Sequence, residues 1–443
     1  MDAKEIVNLV LKEAKRFKVD DAASIASTSH EDMIRFSNNS ITIVKSLSNT
    51  VVYIYVATEK KRMLGETSNP TSEGIAQFVE SLVKSCRANP PSEDYTPLPK
   101  GPFRYSGAPN YDKKIEENPD LLIGLAGEAI DNAISAGAKR VAGSLTAYAD
   151  ELTIASTGGV EAREKGTTIL LNVRAFADSN ASGHGLSCAS SLTDFDAKGA
   201  GRTAGEYAKK ALNPSALPEG KYDVIMSPSV AADIFQHVGW AASAFSVESG
   251  YSFLADLLGK KIAVEKLSID DVGLLQRGLG GRSFDDEGVP TGRTSIINKG
   301  ELKNYLHNTT TARKFSSKTT GNAGLIDPHP WNLEVAAGNS SVEEMIKSVK
   351  YGVFVTNNWY TRFQDPRSGA YSTVPRDAAF LIENGAIKNP ISSIRISDSI
   401  PRQLGSVAAI GKERKWVKWW EVSVPTLSPA ILVKDVPITK AVS

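Results

Sequence analysis

"DMIRFSNN", residues 32–39, reads as a strand that stops at a turn, and "ELTIASTGG", residues 151–159, reads the same way 119 residues later. The surroundings of the two stretches repeat as well. Asp2 and Glu5 form a capping-box pattern before a run in which Ile6, Val7, Val10, Leu11, Ala14 and Phe17 share one helical face. Strand signals follow at 32–37, at 41–47 and in "TVVYIYVA", 50–57. A second helix then places Ile75, Phe78, Val79, Leu82 and Val83 at three- and four-residue spacing. Around the later stretch, Leu122, Leu125, Ala126, Ala129, Ile130 and Ala133 make a helical stripe, and "TTILLNVRAFA" from Thr167 corresponds to "TVVYIYVA". A closing helix from about Lys198 to Leu212 ends at Asn213-Pro214. Helix, strands, helix, occurring twice, predicts an α+β domain built by duplication, spanning 1–218 with units at about 1–90 and 118–214. Between the units, "ANPPSEDYTPLPKGPFRYSGAPN" has the prolines and glycines of a linker or an extended crossing segment.

After "NPSALPEGKYD" the pattern changes, and 219–443 is predicted to be a β-rich domain carrying one important helix. That helix has Ser227 as its N-cap and Pro228 at its first position. Val230, Ile234, Val238, Ala241 and Phe245 form its apolar stripe, and His237 lies about 20° outside the stripe's edge, as a histidine packing beside the core would. Hairpins are expected around Asn298-Lys299-Gly300 and around Asn384-Gly385.

With 443 residues, 41% hydrophobic and 23% charged, the chain has the makeup of a globular protein of two or three domains. Its 51 basic and 50 acidic residues leave a net charge of +1, which gives no general pull toward nucleic acid or an anionic membrane. The two cysteines, Cys86 and Cys188, are too few for a disulfide framework. Lys4, Glu5, Lys12 and Glu13 interrupt any signal-peptide core, and no run of about 18 apolar residues occurs. A cytoplasmic protein is expected.

From Arg277 to Gly324 the chain reads "RGLGGRSFDDEGVPTGRTSIINKGELKNYLHNTTTARKFSSKTTGNAG". "FDDEGVPT", the hairpin after it, "TARK", "TTGNAG" and the later "FLIENGAIKNPI" resemble, in order and spacing, the TldD/PmbA family, also called modulators of DNA gyrase. The resemblance covers the whole chain and implies the duplicated α+β domain followed by the β-rich one. The catalytic TldD type resembles a zinc metallopeptidase, with H-E-x-x-x-H on this helix and a cysteine near the C-terminus. Two imidazoles and a thiolate would hold zinc, and the glutamate would take a proton from its water. Here His237 matches the first histidine, Val238 stands at the glutamate position and Ala242 at the second histidine. No cysteine follows Cys188. The pattern is similar to the non-catalytic TldE/PmbA branch. It implies no catalytic residue and no metal on this chain, His237 being a weak candidate ligand. Zinc is expected on a TldD-like partner carrying the intact motif.

Other constellations admit blander readings. Asp285, Asp286 and Glu287 form a solvated acidic turn or an N–H-accepting loop that braces the domain, rather than a hard-metal site. Arg282 is placed to pair with these acids. Gly321 and Asn322 sit in a tight turn, and with the acidic triplet they are the candidates for a peptide-binding or structural loop. "TGNAG" lacks the lysine and spacing of a phosphate loop. His184 and Cys188 are assigned to a surface loop. His237, His307 and His329 are the candidates for a non-standard metal site. No G-x-S-x-G elbow accompanies the serines. "KERKWVKWWEV", 412–422, is expected to be a late strand whose tryptophans cover the core or a subunit contact.

Three function classes follow. The first is a non-catalytic subunit of a heteromeric zinc peptidase acting on unfolded or small peptides, inactive alone. The second is a self-sufficient peptidase with an unusual site. The third is a peptide-binding homodimeric scaffold.

Overall fold

A computed structural model describes residues 1–441. The N-terminal half contains α1 (Ala3–Arg16), β1 (Asp21–Ser37), β2 (Ser40–Thr58), β3 (Lys61–Thr67), α2 (Ser72–Ala88) and α3 (Lys113–Glu117). It continues with α4 (Pro119–Ser135), β4 (Arg140–Ser156), β5 (Glu161–Phe176), β6 (Ser182–Ala189) and α5 (Ala197–Lys210). The six strands form one antiparallel sheet ordered β3-β2-β1-β4-β5-β6. Each unit contributes helix, three strands and helix, and the units meet where β1 and β4 pair. β1 and β4 are both 17 residues long, and both of their ends repeat at the offset of 119 read from the sequence.

Each unit follows from its pattern. Asp2 and Glu5 cap α1 reciprocally, with Glu5 N donating to Asp2 Oδ1 at 2.7 Å and Asp2 N to Glu5 Oε2 at 2.9 Å. The apolar stripes of α1 and α2 bury against Val52, Ile54 and Val56 of β2. The stripe of α4 and the alanines of α5 bury against Leu145, Ile169, Leu171 and Val173. The second core does not stop at the domain: it continues into Ile225, Phe354, Phe380 and Leu432 of the C-terminal half.

Two readings of this half need correction. Residues 41–47 and 50–57 belong to one 19-residue strand, because Ser48 and Asn49 pair straight on with His30 and Ser29 instead of turning. Nor are His184 and Cys188 on a surface loop: both are buried on β6. The glycines that made the stretch look like a turn serve close packing. A Cβ on Gly183 would meet Ala204 O of α5 at 2.2 Å, and one on Gly185 would meet Ala200 O at 2.0 Å.

The segment between the units is an extended crossing. Gly101 N donates to Gly158 O at 2.9 Å, Tyr95 reaches the Asp21 carboxylate, and Phe103 and Tyr105 pack toward Phe284.

The C-terminal half contains β7 (Ser215–Ala216), β8 (Gly220–Met226), α6 (Pro228–Ala241), α7 (Ala244–Glu248), β9 (Ile269–Val272), β10 (Arg293–Asn298), β11 (Glu301–Leu302) and α8 (Thr309–Lys314). Then come β12 (Leu333–Val335), α9 (Val342–Ser348), β13 (Tyr351–Val355), β14 (Trp359–Asp365), β15 (Ala370–Val374), β16 (Ala379–Glu383), β17 (Ala386–Ser392), β18 (Ile394–Ser399), α10 (Ile400–Gly405), β19 (Val407–Val417) and β20 (Thr426–Lys440). These strands make one mixed 14-stranded sheet in which β20 pairs with β8, β12, β18 and β19. Both expected hairpins form. In the second, Asn384 at φ 49° and Gly385 at φ 77° make the two-residue turn that matches strand twist. Helix α6 buries Val230, Ile234, Phe235 and Val238 in the domain core. It stops at Ala241, because the backbone of Ala242 and Ala244 bonds to Leu306 instead of continuing the spiral. Phe245 therefore leaves the stripe and is 42% exposed. Among the described residues, no helix is long and apolar enough to cross a membrane.

Candidate functional site

Helix α6 is held at its start as the sequence specifies. Ser227 Oγ accepts from Val230 N and donates to Thr356 O at 2.7 Å. One turn before His237 sits Asp233, fully buried, and its carboxylate accepts from Thr361 Oγ1 at 2.5 Å, from Gln236 Nε2 at 3.2 Å and from Asn358. Burial pushes Asp233 up to about 7, with Glu421 adding to the rise and the hydrogen bonds opposing it. Gln236 also ties α6 to the segment that crosses it. Its Nε2 donates to Glu421 O at 2.6 Å, and its Oε1 accepts from Ser423 Oγ at 3.2 Å. None of Asp233, Gln236 or Glu421 stands out in the sequence, since each has partners 59 or more residues away in the chain.

His237 is half-buried, with its ring edge-on to Phe363 at 4.6 Å. Burial alone brings it down to about 4, which keeps the imidazole neutral at pH 7. Val238 and Ala242, at the two positions where the family resemblance expects a glutamate and a second histidine, are completely buried in the core. Neither side chain carries an atom that could bind a metal or accept a proton. His307 lies under Phe315 at 5.5 Å, with Nδ1 3.3 Å from Thr311 Oγ1. His329 packs edge-on to Trp331 at 4.5 Å. Among the described residues no three His, Cys, Asp or Glu side chains converge as a metal-holding group, so the residues present do not fit a zinc ion.

The acidic loop has a different character. It is not a solvated turn: Asp285 and Glu287 are buried and only Asp286 is partly open. Asp285 Oδ1 accepts from Val289 N at 2.8 Å and Glu287 N at 3.0 Å, and its Oδ2 accepts from Ala323 N at 3.0 Å. Glu287 Oε2 accepts from Thr309 N at 3.0 Å and from the Thr309 hydroxyl, capping the approach to α8. Burial, and then the neighbouring Glu287 charge, raise Asp285 well above the usual carboxylate range, while burial pushes Glu287 up to about 7. Arg282 pairs with Asp286 at 3.0 Å and with Glu164 of β5 at 2.9 Å. Glu164 also accepts from Ser283 N at 2.8 Å, and Tyr105 donates to Gly288 O at 2.9 Å. The loop thus fastens the two halves together. Glu164 and Tyr105 went unread in the sequence because they lie in the other half of the chain.

Gly321 and Asn322 back this loop. Gly321 O accepts from Trp331 Nε1 at 2.8 Å, and a Cβ on Gly321 would meet Pro290 O at 2.4 Å. Asn322 is buried and donates to Asp271 Oδ2 at 2.6 Å and to His329 O at 3.1 Å.

His184 occupies a third polar centre. Its Nε2 is 2.9 Å from Asn172 Oδ1, its ring lies 4.7 Å from that of Trp419, and burial brings it down to about 4. Nearby Asp377 joins the halves through Arg174 at 2.6 Å and Ser182 Oγ at 2.7 Å, and within its own half it accepts from Trp359 Nε1 at 3.0 Å. Although burial alone would raise Asp377, the Arg174 charge, with the neighbouring His184 and the Ser182 hydroxyl, holds it below the usual carboxylate range. Cys188 is buried and donates to Trp416 O at 3.1 Å. Of "KERKWVKWWEV", 412–417 lie in β19. Trp419 is buried beneath Trp359, and Trp420 is 49% exposed.

A repeated α+β sheet docked on a β-rich domain, with α6 and a braced acidic loop at the junction, defines the class. Residues 219–440 match the PmbA/TldA metallopeptidase C-terminal domain, and residues 108–212 match the PmbA/TldA metallopeptidase central domain. The chain belongs to the PmbA/TldD family. It is 36% identical over 203 residues to the metalloprotease PmbA of Escherichia coli O157:H7, covering 46% of this chain and 43% of that protein. A metalloprotease of Methanocaldococcus jannaschii is 32% identical over 213 residues, covering 46% of this chain and 47% of the relative. The matched stretch thus spans just under half the length of these curated relatives. Over nearly the whole chain the fold is shared with TldE from Thermococcus kodakarensis, at a TM-score of 0.86 and 20% identity, covering 98% of this chain and 99% of that one. A putative modulator of DNA gyrase from Thermotoga maritima also superposes at 0.86, with 24% identity, covering 98% of this chain and 100% of that chain.

Proposed function

We propose that this chain is a non-catalytic, TldE/PmbA-like subunit of a zinc metallopeptidase complex that processes unfolded or small peptides. One observation carries the reading. At the positions where the family resemblance expects the general base and the second imidazole, Val238 and Ala242 are packed into the core, and His237 faces Phe363 and belongs to no group of three metal-ligating side chains among the described residues. A lone imidazole does not hold zinc, and an apolar side chain accepts no proton. The chemistry then belongs to a TldD-like partner with the intact motif, and this chain supplies architecture. The test is peptide cleavage by the purified chain alone, by such a partner alone, and by the two mixed. The proposal expects no cleavage by this chain and cleavage by the mixture. Chelator-sensitive cleavage by the lone chain would favour a self-sufficient peptidase, and peptide binding without cleavage in any pairing would favour a scaffold.

A further inference from the structure

Strand β14 runs beside α6, and its first residues join Trp420 in an aromatic cluster that is half open to solvent. Trp359, Tyr360 and Trp420 pack on one another with ring centroids 5.2 to 6.2 Å apart. Tyr360 and Trp420 are each 49% exposed, although large aromatic side chains are normally drawn inside. Two arginines stand over these rings. The Arg376 guanidinium lies 5.3 Å from the Trp359 ring and 5.7 Å from that of Tyr360, and Arg362 lies 5.9 Å from Tyr360. Both arginines are exposed. Arg362 reaches Glu421 at 3.3 Å, whereas Arg376 has no carboxylate partner among the described residues and donates only to Tyr360 Oη at 3.0 Å.

The cluster is held in place from beneath. Trp359 Nε1 donates to Asp377, which Arg174 also grips. Tyr360 sits at φ 58°, a left-handed conformation that a bulky side chain rarely adopts, and the Glu421 carboxylate fixes it by accepting its N–H. The rings are therefore presented in a set position, with fork-shaped donors above them.

We propose that Trp359, Tyr360, Trp420, Arg362 and Arg376 form a platform that binds a carboxylate of an extended peptide, with an adjacent apolar side chain resting on the rings. A guanidinium with free donors matches a carboxylate bidentately, and stacking on an aromatic face leaves its edge open to do so. Aromatic and arginine side chains are the ones that dominate peptide and protein contacts. A nucleic acid is disfavoured, because Arg362 and Arg376 are the exposed cations over these rings, Arg174 beneath Trp359 is already paired with Asp377, Glu421 sits beside the patch, and the chain's net charge is +1. The carboxylate is either an Asp or Glu side chain or a peptide's C-terminus. The platform goes beyond the subunit reading, and its test needs neither partner nor metal.

Three fluorescein-labelled decapeptides, each with one Phe, would be titrated into the full chain and followed by anisotropy. One carries a Glu pair next to the Phe and an amidated C-terminus. The second has Gln in place of Glu and a free C-terminus. The third has Gln and an amidated C-terminus. The platform predicts that the first or the second binds at least about tenfold more tightly than the third, the one that does identifying the source of the carboxylate. It also predicts that Arg376→Gln weakens that binding about tenfold with the thermal midpoint unchanged, because its side chain is exposed and has no carboxylate partner among the described residues, and that Trp420→Ala weakens it further. Equal binding of all three peptides, no binding of any, binding unaffected by R376Q and R362Q together, or tighter binding of a labelled dT10 oligonucleotide that the peptides do not displace would overturn it.

Discussion

The acidic loop at 285–287 and the α6 surface at His237 both look like chemistry in the sequence, and they are opposites in the structure. In the loop, both Asp285 oxygens are taken by main-chain donors, and Glu287 is bound to Thr309. At His237 the imidazole faces a phenylalanine, and the positions expected for the general base and the second histidine hold aliphatic side chains. A buried carboxyl whose oxygens are all taken by donors braces the fold, whereas a histidine that packs beside the core without a polar partner holds no other group in place.

Asp285→Ala should break this contrast most severely. It would leave the N–H groups of Glu287, Val289 and Ala323 without their acceptor in a buried loop, and urea unfolding should register a loss on the order of 4 kcal/mol. His184 shows what a supported buried histidine does. Its folded value of about 4 lies below the usual 6.5, so the unfolded chain takes up the proton first as pH falls. Stability tied to His184 is therefore present above pH 6.5 and lost between 6.5 and 4. A His184→Gln variant should flatten that acid limb by on the order of 3 kcal/mol in a pH series of thermal melts.

Glu287 should give the opposite sign. Its folded value of about 7 lies above the usual 4.5, so its contribution is full below pH 4.5 and lost as pH rises to 7. Relative to the wild type, Glu287→Gln should gain on the order of 3 kcal/mol between pH 4.5 and 7, read from denaturant midpoints across that range. The smallest effect is expected at His237. His237→Leu should change stability at pH 7 by no more than about 1 kcal/mol, because no hydrogen bond is lost and apolar contact with Phe363 is kept.

Legibility followed the range of the interactions. The repeat was readable because its signals are local: a capping box at Asp2, stripes at three- and four-residue spacing, and strand ends recurring 119 residues apart. The hairpin at Asn384-Gly385 was readable because its two residues must both adopt positive φ. Residues 41–57 were misread as two strands because Ser48 and Asn49 look like a turn, and only pairing with β1 keeps them extended. His184 was misread because a glycine flanking a histidine signals a loop locally, whereas here the glycines make room for α5. Asp233, Glu164 and Asp377 gave no signal, since a buried carboxylate is defined by partners far away in the chain.

The most direct test of the central claim is zinc content by elemental mass spectrometry, on the purified chain alone after dialysis against a weak chelator. The expected value is near zero, with the chemistry residing on a partner. A value near one zinc per chain would contradict it and would make His237 a ligand whose companions must be sought elsewhere in the fold.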